Sequence, residues 1–376
     1  MRKIVIAPDS YKGNMRSPEI CDIIEKGLKS IIPDINTIKI PMADGGEGTV
    51  DSVIVATNAV LKKVTVSGPL GKKVEAEYAL TKETGTATME MASASGIELL
   101  KKEDLNPLRT TTYGTGEVIK HILENEENIK EIVIGIGGSA TVDGGCGMAQ
   151  ALGYKLLDRQ GNDIKNGGAN LKEITTISDV DVNPAIKNVK IRVACDVTNP
   201  LLGKNGAAKI FGPQKGATPS MVEELECGLN NLLSILKKHK MLEDEAPGDG
   251  AAGGLGIGLR AFCNATIESG AELLIEITNL KTHLSDCDLL ITGEGCTDGQ
   301  TAGGKLCYVI AKIAKLYNVS TILLSGALKG DIEKLHSIFD AALSISSGHA
   351  SLGKAIAESK KDLYFTAQNI AKLYFT

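Results

Sequence analysis

Residues 131–150, EIVIGIGGSATVDGGCGMAQ, decide the fold, because a buried strand, a glycine loop and the start of a helix follow one another there without spacers. The apolar run 132–136 is typical of an interior strand of a parallel sheet. Glycines then surround the polar residues Ser139, Thr141 and Asp143. Because glycine has no Cβ, its backbone adopts positive φ and comes close to a ligand, so exposed N–H groups can hold phosphate oxygens. The pattern predicts an anion site, with a tight turn and close helix-to-sheet packing as the alternative.

The composition is typical of a globular protein that binds small molecules. The chain has 376 residues, 43% of them hydrophobic, which suits two domains or one domain with a large insertion. A net charge of -5 and 3% aromatic residues argue against a nucleic-acid partner. No apolar run approaches the roughly 20 residues of a membrane span, and MRKIVIAPDS does not resemble a signal peptide. The 8 cysteines are scattered without a CxxC pair, so we expect free thiols and a cytoplasmic protein.

Two short strands near the start of the chain deliver charged side chains to one edge of a sheet. The first strand, 3–7, is followed by PDSYKG and by a helix for which Ser17 is predicted as the N-cap. The second strand, 37–40, is followed by PMADGGEGT and another helix. The charged residues after the two strands are Asp9 and Lys12, then Asp44 and Glu47. This βαβα order predicts a parallel sheet whose carboxyl edge binds a ligand.

The pattern of polar and apolar residues changes twice along the chain. From Lys63 the segment VTVSGPLGKKVEAEYAL alternates polar and apolar residues between turns, which predicts antiparallel strands. From Cys287 strands and helices alternate again. We therefore predict an α/β protein with two α/β domains. Residues 1–66 plus 284–376 form a discontinuous domain with a mainly parallel Rossmann- or flavodoxin-like sheet, and residues 67–283 form an inserted mixed-sheet domain.

Later loops also carry charged residues beside glycines. These residues are Asp196 after strand 191–194, Lys215 in GPQKG, and Glu294, Asp298 and Lys305 in and after LLITGEG. A kinase that acts on a small acid needs carboxylates for Mg²⁺ and cations for the phosphates and for the acceptor's own charge. A turn or helix cap is an equal alternative for any single aspartate. The whole set of carboxylates in glycine-rich loops favours the kinase.

A dehydrogenase is the main alternative. No Walker A pattern and no protein-kinase HRD or DFG motif occurs in the sequence. Residues 135–140, GIGGSA, match GxGxxA after a strand, and Asp158 follows at a suitable distance for an NAD-dependent dehydrogenase of a small hydroxy acid. Against this, VDGGCG prolongs the glycine loop, and no His or Lys near an apolar pocket suggests a hydride partner. A non-catalytic nucleotide sensor would not require so many carboxylates.

Eight segments, in order along nearly the whole chain, resemble the bacterial glycerate kinase family of the 2-phosphoglycerate-forming type. They are IAPDSYKG, PMADGGEGT, SGPLG, NPLRTTTYGTGEVI, IGIGGSATVDGGCGMAQALG, IRVACDVTNPLLGKNGAAKIFGPQKGA, GAAGGLG and LLITGEGCTDGQTAGGK. The resemblance implies ATP- and Mg²⁺-dependent phosphorylation of D-glycerate in organic acid metabolism, and an active-site cleft between two α/β domains. Two positions depart from the family pattern: Cys296 stands where many relatives carry Arg after GEG, and Gly13 replaces an acidic or polar residue.

The roles of individual residues are predicted from their chemistry alone. Asp44, Glu47 and Asp196 are predicted to bind the metal, with Asp44 and Asp196 also activating the acceptor. Lys12 and Lys215 are predicted catalytic cations that neutralise phosphate or the glycerate carboxylate. The predicted nucleotide-binding residues are Gly137, Gly138, Ser139, Asp143 and Glu294. A homodimer is left open.

Overall fold

The computed structural model describes residues 2–298, 306–330, 333–346, 348 and 351–375. The chain divides into two compact units. The first unit comprises Met1–Asp44, Asp51–Ala59 and Ala271–Thr376, and the second comprises Gly45–Val50 and Val60–Gly270. The predicted domain bounds, 1–66 plus 284–376 and 67–283, stay a prediction. Lys305, predicted among the charged loop residues, lies outside the described residues.

Strands and helices alternate along most of the described chain. The strands are β1 (Lys3–Ile6), β2 (Asn36–Lys39), β3 (Val60–Ser67), β4 (Lys73–Thr81), β5 (Thr86–Glu90), β6 (Glu131–Gly135), β7 (Lys155–Leu157), β8 (Thr176–Ser178), β9 (Lys190–Ala194), β10 (Thr266–Glu268), β11 (Leu289–Glu294), β12 (Ser320–Ser325) and β13 (Ala341–Ser344). The helices are α1 (Ser17–Ile31), α2 (Thr49–Thr57), α3 (Ala92–Ser95), α4 (Tyr113–Asn125), α5 (Cys146–Ala151), α6 (Ala207–Phe211), α7 (Pro219–Lys238), α8 (Ala251–Cys263), α9 (Gly270–Ile277), α10 (Leu280–Leu284), α11 (Leu306–Leu316) and α12 (Leu352–Phe375).

The first unit contains a five-stranded sheet in the order β13-β12-β11-β1-β2. Every neighbouring pair in this sheet is parallel. Counted within the unit, the order is 2-1-3-4-5, which is the flavodoxin-like arrangement and confirms the predicted class of sheet. In such sheets the direction of growth reverses between the first and third strands, here β1 and β11, and ligands bind at the carboxyl ends of those two strands.

Helix α1 packs its apolar face into the core of this unit. Its buried residues recur at the spacing of one helical face and include Ile20, Ile24 and Leu28. Gly27 lies on the same face, and a Cβ built there would meet the Cβ of Ala367 in α12 at 2.6 Å. The glycine therefore lets the two helices come closer than a larger residue would allow.

The second unit is built on a six-stranded mixed sheet in the order β10-β9-β6-β5-β4-β3. Strands β3, β4 and β5 are antiparallel neighbours, as the alternating pattern predicts, and the hairpin begins at Val60, before Lys63. Strands β5, β6, β9 and β10 run parallel to one another. Their carboxyl ends therefore lie at one edge of the sheet, and the loops after β6 and β9 carry the residues predicted to be functional.

Helix α7 covers the core of the second unit with buried leucines that include Leu225, Leu229 and Leu232. Its N-cap is Thr218, whose Oγ1 accepts a hydrogen bond from the Met221 amide. Pro219 follows at the first helical position, where its fixed φ and missing N–H suit the start of a helix. None of the helices in the described ranges is long and apolar enough to cross a membrane.

Candidate active site

Ser17 joins the loops that follow β1 and β2. Its Oγ donates a hydrogen bond to the Pro8 carbonyl (2.7 Å) and accepts one from the Met42 amide (3.0 Å). The N-cap position of α1 is Arg16, which makes no side-chain capping bond. The predicted capping role of Ser17 is therefore wrong, because its hydroxyl is used between the two loops. These bonds fix the backbone that carries Asp9 and Asp44.

Asp9 is a buried carboxylate at the carboxyl edge of the first sheet, and its pKa is raised. It lies directly after β1, its amide donates to the Gly293 carbonyl (2.8 Å), and its Oδ1 accepts from the Ser10 amide (2.6 Å). The side chain is buried. Burial and the negative charge of Asp44 raise the pKa of Asp9 to about 7, although the Ser10 amide and Lys12 oppose the shift. A carboxyl group poised near neutral pH can accept or release a proton during turnover.

Lys12 and Asp44 form an ion pair beside Asp9. The Lys12 Nζ lies 2.8 Å from the Asp44 Oδ2, and the lysine side chain is 73% exposed. Partial loss of solvent around the ammonium disfavours its charged form, but the negative charges of Asp44, Asp9 and Glu294 outweigh this effect and raise the pKa of Lys12. Glu294 ends β11 and accepts a hydrogen bond from the Thr297 Oγ1 (3.0 Å). The structure thus brings the predicted residues Lys12, Asp44 and Glu294 together with Asp9 at the switch point of the first sheet.

Sequence reasoning placed Asp9 in the right loop but gave it no role. The signal that singles it out is its position in the loop after β1, a strand with a neighbour on each side, and the side chain is buried there. Charge patterns do not reveal that burial, so the sequence favours DGGEGT, which contains Asp44 and Glu47, over PDS as a functional loop. In the structure Glu47 is exposed on its loop.

In the second unit, glycines let two backbone segments touch. A Cβ on Gly137 would lie 2.7 Å from the Cα of Gly46, and a Cβ on Gly135 would lie 2.6 Å from the Gly45 carbonyl oxygen. The Gly137 amide donates to that same Gly45 carbonyl (3.4 Å). For Gly135 and Gly137 the structure shows the close backbone packing that is the alternative to an anion site, and contact of Gly137 with nucleotide stays a prediction. Gly138 differs, because it is exposed and has a φ of +73°.

Asp143 holds the rest of this glycine loop in shape. Its Oδ2 accepts hydrogen bonds from the Thr112 amide (2.8 Å), the Thr112 Oγ1 (2.9 Å), the Thr111 Oγ1 (3.3 Å) and the Gly147 amide (3.3 Å). Its Oδ1 accepts from the Gly145 amide (3.2 Å). Burial raises the pKa of Asp143, and these hydrogen bonds oppose the shift. The geometry favours a structural role for Asp143, and its contact with nucleotide stays a prediction.

Lys215 lies beneath the same loop with only 2% of its surface exposed. Its Nζ donates to the Ser139 Oγ (2.5 Å) and to the Thr141 carbonyl (2.8 Å). Burial lowers the pKa of Lys215 to about 7, while the charge of Asp143 works in the opposite direction. Because Lys215 is buried, it can act on a ligand only through Ser139 or through the field of its charge.

Asp196 follows β9 and caps a helix. Its Oδ1 accepts from the Gly270 amide (2.8 Å) at the start of α9 and from the Ser269 Oγ (3.0 Å). The residue is exposed. Within the described ranges, no group of three or more His, Cys, Asp or Glu side chains is arranged to hold a metal ion. The metal set Asp44, Glu47 and Asp196 therefore stays a prediction.

The chain matches proteins of known family along its whole length. Residues 4–375 match the family model described as the glycerate kinase family. This chain belongs to the glycerate kinase family. It is 45% identical to glycerate 2-kinase of Escherichia coli (98% of this chain, 97% of that protein) and 47% identical to glycerate kinase of Halalkalibacterium halodurans (99% and 98%). A crystal structure of a glycerate kinase 2 from Salmonella typhimurium LT2 matches 99% of this chain at 43% identity with a TM-score of 0.88.

The family identifies the chain as a kinase of the glycerate kinase type. The resemblance of the eight segments is confirmed, and so is the mixed α/β fold. The dehydrogenase alternative, based on GIGGSA, has no support among these relatives. In the structure Gly135 and Gly137 of that motif contact Gly45 and Gly46.

We predict that Asp9→Asn makes the ligand-free protein more stable at neutral pH. The folded-state pKa of Asp9, about 7, exceeds the unfolded value, so its contribution to stability is fully present below about pH 4 and is lost as pH rises through 7. The neutral Asn avoids that loss. Thermal melts should show the variant and wild type equal near pH 4, with the variant more stable by on the order of 2–4 kcal/mol at pH 8.

Asp34→Asn is the control, because Asp34 is an exposed turn residue of the same unit. It should leave the pH profile unchanged. A constant difference between Asp9→Asn and wild type from pH 4 to pH 8 would show that Asp9 ionises as an ordinary surface carboxylate.

Proposed function

We propose that this enzyme transfers the terminal phosphoryl group of ATP to the 2-hydroxyl of D-glycerate, giving 2-phosphoglycerate. The observation that carries the proposal is the 45% identity, over nearly the full length of both chains, to a protein named glycerate 2-kinase. The charged loops at the carboxyl edges of the two sheets support it, since phosphoryl transfer depends on positioning and charge stabilisation.

The first unit supplies groups suited to the acceptor. The exposed ammonium of Lys12 is held by Asp44 and can bind the carboxylate of glycerate or a phosphate oxygen. Asp9 can take the proton of the acceptor hydroxyl, because burial raises its pKa to about 7, close to the pH at which a general base works best. Asp44 and Asp196 keep their predicted catalytic roles in this proposal.

The second unit supplies groups suited to the nucleotide. Gly138 is exposed in a left-handed turn, so the backbone at Gly138 is open to a phosphate, whereas the Gly137 amide is already bonded to the Gly45 carbonyl. The Ser139 hydroxyl, held by Lys215, adds a polar side chain to that backbone. Glu294 and Asp143 stay predicted contacts of the nucleotide.

Carboxylates of the kind found at Asp44, Glu47 and Asp196 fit Mg²⁺, which prefers hard oxygen ligands. Mg²⁺ keeps several waters and is bound through one or two carboxylates plus substrate phosphates, so a ready-made cluster of three protein ligands is not required. When bound, the ion neutralises charge on the phosphates. We also propose a cytoplasmic location, because all 8 cysteines are free thiols. The homodimer stays a prediction.

We expect the purified enzyme to form 2-phosphoglycerate from ATP, Mg²⁺ and D-glycerate. Proton-coupled phosphorus NMR distinguishes the products, because a phosphate on C2 couples to one proton and gives a doublet, whereas a phosphate on C3 couples to two and gives a triplet. The doublet should grow as ATP is consumed and should not grow with EDTA present.

A triplet would show that the phosphoryl group is on the 3-hydroxyl and would contradict the proposed product. No phosphate ester, together with NAD-dependent oxidation of glycerate, would contradict the kinase.

We predict that Asp44→Asn lowers kcat by on the order of a hundredfold, because it removes the charge that holds Lys12 and supports the acceptor site. Asp22→Asn is a matched control: Asp22 also forms a 2.8 Å ion pair with a lysine, Lys39, in the same unit. The control should keep near wild-type turnover. Equal turnover in both variants would mean that Asp44 is only a surface partner of Lys12.

A further inference from the structure

Lys215 is a buried cation with neutral hydrogen-bond acceptors. Its Nζ contacts the Ser139 hydroxyl and the Thr141 carbonyl. The charged group that faces it from the packed elements of the described chain is Asp143, whose carboxylate already accepts bonds from Thr111, Thr112, Gly145 and Gly147. A buried ammonium without a direct carboxylate partner is costly, so the neutral amine competes with it.

Burial shifts the pKa values of Lys215 and of its titratable neighbours in the direction that favours their neutral forms. Burial lowers the pKa of Lys215 to about 7, and the charge of Asp143 limits the shift. Cys146 lies near Asp143, and burial raises the pKa of its thiol well above the usual value, so the thiol stays neutral. Burial also raises the pKa of the Asp143 carboxyl, but the hydrogen bonds that it accepts favour its charged form. Lys215, whose Nζ contacts neutral acceptors, is therefore the group of this cluster that we expect to gain a proton.

The loop above Lys215 contains polar groups that its internal hydrogen bonds leave available to a ligand. The Thr141 Oγ1 is buried and, within the described residues, has no hydrogen-bond partner. Ser139 is 8% exposed, and its neighbour Gly138 is exposed at a φ of +73°. An anion at residues 137–139 would reach the Ser139 hydroxyl, whose other side contacts Lys215.

We infer that binding of a phosphate group at residues 137–139 is coupled to the uptake of one proton by Lys215, which acts as a positioning residue for Ser139. The inference rests on the proposed function for the identity of the phosphate donor. The step is a simple protonation: the Lys215 amine takes a proton from solvent and becomes an ammonium, and no other bond is made or broken.

The proton changes which way the Ser139 hydroxyl points. A neutral Lys215 amine can accept a hydrogen bond from the Ser139 O–H, which turns the hydroxyl hydrogen inward. A charged ammonium has no lone pair and only donates, so the Ser139 hydrogen is released to donate to the phosphate. An anion bonded to Ser139 would lie roughly 5 Å from Nζ, two hydrogen-bond lengths away, and its charge would raise the pKa of Lys215 by about a unit or more.

Isothermal titration calorimetry measures the proton directly. ATP with Mg²⁺, and without glycerate, is titrated into the enzyme at pH 8 in two buffers of different ionisation enthalpy. At this pH the ATP phosphates are already ionised. Wild type should take up about 0.4 proton or more per bound ATP at pH 8, and the uptake should approach zero near pH 5.5, where Lys215 is charged in both states.

Two variants show which residue takes up the proton. Lys215→Met removes the titrating group, so its uptake at pH 8 should fall to near zero. Asp9→Asn removes the other group whose pKa is raised to about 7 by burial, and it should keep the wild-type uptake. Thermal melts of each variant confirm folding before the titration.

The outcomes separate this inference from the proposed function. ATP binding without proton uptake, or uptake that persists in a folded Lys215→Met, would overturn the role of Lys215 and leave the kinase standing. Loss of uptake in Asp9→Asn would also overturn it by assigning the proton to Asp9. If Lys215→Met does not fold, equal uptake by wild type at pH 5.5 and pH 8 still overturns it. Failure of wild type to bind ATP at all would contradict the proposed function itself.

Discussion

One buried carboxylate joins the candidate nucleotide loop to its neighbouring segments. Asp143 accepts five hydrogen bonds that join the segment around Thr112 to the start of α5. Removing such an acceptor would leave several buried donors unsatisfied, and each would cost about 1–3 kcal/mol. Lys215 depends on this arrangement, since Asp143 supplies the negative charge that acts on it among the described residues. The position of Ser139 depends in turn on Lys215.

Glycines around this network have two different tasks. Gly45, Gly46, Gly135 and Gly137 are needed because backbone atoms pass within contact distance of one another, and a Cβ would collide. Gly253 serves the same purpose in α8, where a Cβ would lie 1.9 Å from the Thr141 carbonyl oxygen. These contacts stabilise the loop, and they leave the exposed turn at Gly138 as the part that faces solvent. Rigid support beneath an open turn is what preorganised anion binding requires.

Much of the fold could be predicted from the sequence because hydrophobic periodicity and turn residues are local signals. The strands β1, β6 and β9, the helix α1, the start of α5 and the hairpin of β3 and β4 all follow from such patterns. The short strand β10 was missed, because three residues give no usable period. Its pairing with β9 depends on contacts between distant parts of the chain.

The candidate site was harder to predict, for a physical reason. A sequence shows which residues are charged, but the behaviour of a charge depends on burial and on neighbours that the fold brings together. Asp9, Ser17 and Lys215 illustrate this: a proton-poised carboxyl group, a hydroxyl shared between two loops and a lysine without a carboxylate partner look like ordinary loop residues in sequence. Family resemblance supplied the activity, which the local patterns alone left open between kinase and dehydrogenase.

The central claim is that the loop at residues 137–139, supported by Asp143 and Lys215, holds the phosphates of the nucleotide. A crystal structure with a non-hydrolysable ATP analogue, Mg²⁺ and D-glycerate tests it most directly. The account predicts triphosphate oxygens within hydrogen-bond distance of the backbone amides of Gly138 and Ser139 and of the Ser139 hydroxyl. Triphosphate bound instead at Lys12 and Glu294, with glycerate or nothing at residues 137–139, would contradict it.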